Sequence, residues 1–191
     1  MSSFSLHIRN MVCPRCIKVV TDELNGLALP VLKVKLGEAE LAQEPNGETL
    51  QIIRQVLAKN GFELLEDKKA ETVEQIKLAI IHLIHSGRIE ELNTNISAYL
   101  EESIGKDYNY LSSLFSAEEN TTIARYVVLQ KVERVKELLL YNELTLSQIA
   151  YHLGYSSVAH LSNQFKQITG LTPTEFKNNT SSLRKPIDQV T

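Results

Sequence analysis

The spacing of apolar and polar positions changes along the chain. Residues 4–9 (FSLHIR) alternate with period two, as a strand with one buried face does. Ile17, Val20, Leu24 and Leu27 then recur at helical spacing, and Gly26 marks the helix end. Residues 31–36 (VLKVKL) alternate again, Gly37 turns the chain, and residues 38–42 can pair back as a hairpin. After the Pro45-Asn46-Gly47 breaker, Leu50, Ile53, Val56 and Leu57 form a second helical stripe. Gly61 stops it, and residues 62–65 (FELL) make a short last strand. Beyond the polar run 67–72 (DKKAET), which reads as a linker, every periodic stretch is helical. Val73, Ile76, Ile80, Leu83 and Ile84 share one face, and helices follow near 94–103, 107–117, 121–140, 145–152, 156–168 and 173–178.

The order β-α-β-β-α-β over the first part is the ferredoxin-like plan. The expected fold class is α+β: a ferredoxin-like domain over residues 1–68, an all-α domain with two helix-turn-helix units over 69–180, and a flexible tail over 181–191.

Within the helical half, residues 144–177 (LTLSQIAYHLGYSSVAHLSNQFKQITGLTPTEFK) predict a short support helix, a tight turn and a second helix. Ser147 is the expected cap of the support helix, with Ile149, Ala150 and Leu153 facing inward. Gly154 falls where the chain turns, at an expected positive φ. Ser156 or Ser157 then caps the second helix, which Leu161, Phe165 and Ile168 pack onto the core. Val158, Ala159, Ser162, Asn163 and Lys166 are left outward, beside the cap residue Ser157. These side chains suit a duplex: Asn bonds adenine edges, Ser bonds bases or phosphates, Ala and Val touch the thymine methyl, and Lys meets phosphate. On periodicity alone, an amphipathic helical hairpin with a solvated outer face fits as well.

The segment resembles the C-terminal signature of AraC-type transcription regulators. Leu146, Ser147, Ile149, Ala150, Leu153, Gly154, Tyr155 and Ser156 match its first part; Phe165, Lys166, Gly170, Thr172, Pro173, Phe176 and Lys177 match its second. Residues 131–140 (KVERVKELLL) resemble that family's linker helix, and residues 96–127 resemble its first helix-turn-helix unit. The resemblance covers residues 73–178 and implies a sequence-specific regulator that binds double-stranded DNA at promoters, with a homodimer as its common working form. It carries the first reading face onto Tyr108, Asn109, Ser112 and Ser113. Where the family usually has basic residues and Gly after the Phe, this chain has Ser116-Ala117-Glu118-Glu119-Asn120, so the second unit is expected to dominate binding.

Charge supports that ranking. The chain carries a net charge of -3, but residues 72–124 hold three Lys/Arg against eight Asp/Glu, whereas residues 125–185 hold eight against four. The positive end coincides with the second unit, and its modest size predicts few phosphate contacts.

Cys13 and Cys16, the two cysteines, stand where the first strand passes into the first helix. Two thiols at i and i+3 can face one soft ion, and a helix N-terminus lowers thiolate pKa values. With Met11 the loop resembles that of heavy-metal-associated domains of copper chaperones, with Asn10 in place of the usual Gly and an unusual Pro14. Three readings stay open: a domain that keeps the fold without the metal, a site for Cu(I) or another thiophilic ion such as Zn(II), Cd(II) or Hg(II), and a thiol/disulfide sensor. A soluble metal chaperone or buffer whose helical half docks a protein partner is the rival to a regulator.

His82 and His85 are i, i+3 on a helix but lack further ligands at metal spacing, and read as surface or partly packed side chains. His160, between the outward residues of the second reading helix, could reach phosphate but reads first as core-edge packing. His7 and His152 carry no signal. Hydrophobic residues at 43% and charged residues at 23% are the balance of an ordinary globular protein. No nucleophile elbow, P-loop or dinucleotide motif is present, so no enzyme is expected. No apolar run spans a membrane and the start MSSFSLHIRN lacks signal-peptide character, so the expected location is the cytoplasm.

Overall fold

The computed structural model describes residues 3–87, 89, 95–178 and 187. The expected tail, 181–191, lies outside the described residues apart from Ile187. Two compact units, Met1–Leu78 and Ala79–Thr191, divide the chain.

The first unit runs β1 (Phe4–Arg9), α1 (Pro14–Gly26), β2 (Val31–Lys35), β3 (Glu38–Leu41), α2 (Gly47–Lys59) and β4 (Glu63–Leu65), followed by the start of α3 (Lys68–His85). The strands form one sheet in the order β2-β3-β1-β4, with every neighbouring pair antiparallel. Alternation puts Leu6 and Ile8 on one face, where they join Val20 and Leu24 of α1 and Ile53 and Leu57 of α2 in a single core. Cross-strand ion pairs follow the register: Arg9 opposes Glu63 at 2.8 Å, and Lys35 opposes Glu38 at 2.9 Å.

The other face of the sheet is where the sequence reading needs correction. Residues 67–72 are not a linker, because α3 starts at Lys68, with the Asp67 carboxylate accepting from Lys69 N–H at 3.0 Å. Alternation turns His7 and Arg9 to this face, and α3 reaches both. The Glu71 carboxylate lies 3.6 Å from His7 Nε2, and Glu74 Oε2 lies 4.0 Å from Arg9 Nε. Thr72 and Glu74 are buried there. A polar run forms an ordered helix because its polar groups meet partners on the sheet, which composition does not reveal. The division between the units accordingly falls inside α3 and not at residue 68.

The second unit holds the rest of α3 and α4 (Ile96–Ile104), α5 (Tyr108–Glu119), α6 (Ile123–Tyr141), α7 (Leu146–His152), α8 (Val158–Thr169) and α9 (Pro173–Asn178). Helix α6 is its spine, with Ile123, Tyr126, Val127, Val132, Val135 and Leu139 buried, and with Gln130, Glu133 and Lys136 buried as well. Lys136 Nζ donates to Glu133 Oε1 at 2.6 Å, so neither charge is left alone in the core. Side-chain caps start each helix from α4 to α8: Asn95, Asp107, Thr122, Thr145 and Ser157. No helix among the described residues is long and apolar enough to cross a membrane.

Gly37 has φ 77°, and a Cβ there would stand 2.5 Å from Leu78 Cδ1 of α3. Gly37→Ala is expected to cost about 1–2 kcal/mol of stability, read as a lowered urea midpoint with unchanged m-value; no loss would mean that α3 does not press on this turn.

Candidate nucleic-acid interface

Thr145, not Ser147, caps the support helix α7. Its hydroxyl accepts from Gln148 N–H at 3.3 Å while Gln148 Oε1 accepts from Thr145 N–H at 2.9 Å, a reciprocal capping box. Ser147 is the second residue of α7, inside the helix and past the cap position. Ile149, Ala150 and Leu153 are buried as expected. Gly154 has φ 64°, and a Cβ would only touch the Ile89 carbonyl at 3.4 Å, so the need for glycine at this turn is conformational.

Ser157 caps α8 by accepting from His160 N–H at 3.0 Å. Leu161 and Phe165 are fully buried, and the Phe165 ring meets Phe176 of α9 edge-on at 5.5 Å. Ile168 is only half-buried, at the rim of this contact. Ser157, Ala159, Asn163 and Lys166 are exposed, and Val158 and Ser162 are half-buried on the same outer surface. The six predicted residues therefore lie together along the first two and a half turns of one helix.

Three features escaped the sequence reading. His160 is exposed, not packed at the core edge; its Nδ1 lies 3.1 Å from Ser156 Oγ and its ring stands edge-on to Tyr155 at 5.4 Å. Tyr155 is buried and donates to Gln164 Oε1 at 2.8 Å, while Lys131 Nζ of α6 sits 5.1 Å from its ring centre. Burial pushes the Tyr155 hydroxyl far above its ordinary pKa and holds the Lys131 ammonium below its own. Tyr155 thus ties α6, the turn and α8 into one body.

The third feature separates the two units. Tyr108 and Ser112 are half-buried and Asn109 and Ser113 exposed on α5, so the first candidate face also forms one surface. Its N-terminus differs in charge. Asp107 accepts from Asn109 N–H at 2.9 Å and Tyr110 N–H at 3.3 Å, and Glu101 of α4 accepts from Tyr108 N–H at 2.7 Å. The amides that a phosphate would use are taken by two carboxylates on α5, whereas the cap of α8 is a neutral hydroxyl. Asp just before a helical stripe is a readable cap signal; the Glu101 contact depends on tertiary placement.

In the first unit, Cys13 Sγ and Cys16 Sγ are 3.4 Å apart and both side chains are half-buried. Two thiolates suit a two-coordinate soft ion such as Cu(I) but leave a tetrahedral Zn(II) site incomplete. Among the described residues no group of three or more His, Cys, Asp or Glu could hold a metal, and Met11 is fully buried in the core. Burial opposes ionisation of both thiols. For Cys13 the amides of Cys16 and Arg15, the Cys16 thiol and the Arg15 charge more than offset it, holding the group below an ordinary thiol. Cys16 stays above, held there by burial and by Cys13. His82 is exposed and His85, half-buried, lies 3.9 Å from Glu137.

A family model described as a helix-turn-helix domain matches residues 100–179. The probable transcriptional regulator LumQ of Photobacterium leiognathi is 27% identical over 163 residues, covering 82% of this chain and 59% of LumQ. An uncharacterized HTH-type transcriptional regulator in the cgkA 5' region of Pseudoalteromonas carrageenovora is 27% identical over 61% of this chain and 70% of its own length. The Msm operon regulatory protein of Streptococcus mutans is 25% identical over 69% of this chain, which spans 46% of that protein. Among solved structures, the C-terminal domain of AraT, a response regulator from Geobacillus stearothermophilus, superposes with a TM-score of 0.50 at 21% identity, covering 63% of this chain and 95% of that one. Residues 100–179 match that helix-turn-helix model, and the fold is shared with that response-regulator domain.

Phe165→Ala removes the ring that seats α8, and is expected to cost about 3–5 kcal/mol in chemical unfolding; a loss below about 1 kcal/mol would mean that α8 is held elsewhere.

Proposed function

We propose that the chain is a sequence-specific DNA-binding transcription regulator of AraC type, led by its second helix-turn-helix unit. The observation that carries this reading is the contrast between the two reading helices. Helix α8 begins at a neutral cap and exposes Asn163 and Lys166, whereas α5 begins with its amides held by Asp107 and Glu101. Relatives named as transcriptional regulators support the same reading. In it, α8 enters a promoter's major groove, Asn163 and Ser162 bond base edges, Val158 and Ala159 touch thymine methyls, and Ser157 and Lys166 meet phosphate. Helix α5 faces the neighbouring groove segment about 34 Å along the duplex, with Tyr108, Asn109, Ser112 and Ser113 toward it and weaker phosphate attraction. A homodimer would pair two such faces on a two-fold operator.

The N-terminal unit reads as a ferredoxin-like domain that receives the input, supported by its β-α-β-β-α-β order and its β2-β3-β1-β4 sheet.

Equilibrium binding to a selected duplex tests the assignment. Asn163→Ala is expected to weaken specific binding by about 1–3 kcal/mol and relax the preference at one position. Lys166→Ala should weaken all duplexes alike and lower the salt slope by about one. Asp107→Asn should strengthen binding by removing a charge that repels phosphate. Wild-type affinity for both Asn163→Ala and Lys166→Ala would favour a protein-docking role for the helical half.

A further inference from the structure

The loop between β1 and α1 joins the two thiols to a backbone group that holds α3. Cys13 occupies the N-cap of α1 but its side chain makes no cap bond, leaving its sulfur against that of Cys16. Asn10, at the entrance of the loop with φ 72°, is held in three directions. Its N–H donates to Glu74 Oε1 of α3 at 3.0 Å, and its side-chain amide donates to the Gly61 carbonyl at 3.0 Å. Its own carbonyl accepts from Val12 N–H at 3.1 Å and faces the Cys16 thiol at 3.9 Å. Glu74 is 5% exposed, so its bond to Asn10 is shielded from water. The pair has few of the further ligands a metal centre collects, yet it has what a disulfide needs: adjacent sulfurs at i and i+3 that small reagents can reach.

We propose that Cys13 and Cys16 form a reversible dithiol–disulfide site whose closing is relayed to α3 through the Asn10–Glu74 hydrogen bond. The oxidant is a low-molecular-weight disulfide. The Cys13 thiolate attacks one of its sulfurs, forming a mixed disulfide and releasing one thiolate. Cys16 gives its proton to water and attacks the Cys13 sulfur, forming the Cys13–Cys16 bond and expelling the second thiolate. Two electrons leave the protein and reduce the small disulfide to two thiols. Asymmetry in the pair favours this order, since Cys13 ionises more readily than Cys16.

Closing draws the sulfurs from 3.4 Å to about 2.05 Å and removes the S–H that faces the Asn10 carbonyl. Both changes act on the loop that Asn10 anchors, so the Asn10 amide loses its hold on Glu74. Glu74 lies in the N-terminal half of α3, so losing that bond loosens the helix over residues 68–78. The relay would supply the input of the regulator proposed above, but its test involves no DNA.

The full chain is equilibrated over a range of reduced-to-oxidised glutathione ratios. Intact mass with peptide mapping reports the disulfide, and hydrogen exchange reports residues 68–78. Expected are one internal Cys13–Cys16 disulfide, reversed by reduced glutathione, and exchange in 68–78 faster by roughly threefold or more when it closes. Cys16→Ser should stop at a glutathione adduct on Cys13 with exchange unchanged. Glu74→Gln, which keeps the accepting oxygen, should keep the response, and Glu74→Ala should lose it; if Glu74→Ala does not fold, the cysteine variant carries the comparison. No internal disulfide at any ratio, or one prevented by stoichiometric Cu(I) that glutathione cannot displace, overturns the redox site. A disulfide that leaves exchange in 68–78 unchanged overturns the relay.

Discussion

Burial of α6 on most of its circumference is the constraint on which the helical unit depends. A surface helix needs one apolar stripe, but α6 buries Tyr126, Gln130, Glu133 and Lys136 in addition to its aliphatic residues. That arrangement lets one helix seat α5 through the edge contact of Tyr126 with Phe115, and the second turn through Lys131 against Tyr155. The polar residues stay because they are paired within the helix: Lys136 with Glu133, and Gln130 Nε2 with the Tyr126 hydroxyl at 2.9 Å. Such pairs add little net stability over apolar packing, but leaving either partner alone would cost several kcal/mol. On the proposed reading, one shared spine positions α5 and α8 together, as reading two groove segments at once requires.

On this common frame the two units diverge in electrostatics more than in shape. Each has a support helix, a left-handed glycine near the turn (Gly105 and Gly154) and a buried phenylalanine under the reading helix (Phe115 and Phe165). What differs is the chemistry at the helix start, where the macrodipole and free amides are strongest. A carboxylate cap stabilises α5 as a helix and at the same time opposes a phosphate there. A hydroxyl cap on α8 stabilises less by charge and leaves the approach open. On the proposed reading, stability of the first unit and its affinity for a polyanion are set against each other at Asp107.

Much of this was legible in the sequence, because helical period and glycine punctuation fix where packed helices begin and end. The stripe Leu161-Phe165, the turn at Gly154 and a serine cap at 156 or 157 follow from local rules, and the structure places the cap at Ser157. The differences have two causes, partners distant in sequence and a choice among local hydrogen bonds. Residues 67–72 read as a linker because polar side chains ordinarily face water, whereas Glu71 and Glu74 meet His7, Arg9 and the Asn10 amide on the sheet. Ser147 is a good cap by residue type, but Thr145 takes the position through its reciprocal bond with Gln148. His160, expected at the core edge, is turned outward against Ser156 by the helix. The sheet partners of residues 67–74, distant in sequence, carry no local signature.

The most direct test of the central claim is selection of duplexes from a randomised pool by the full chain, read at two salt concentrations. The account predicts an enriched motif with one strongly specified segment and a weaker one a helical turn away, and an affinity that falls with salt on a shallow slope reflecting few phosphate contacts. Recovery of no motif at either salt would contradict it, and equal specification of the two segments would contradict the dominance of α8.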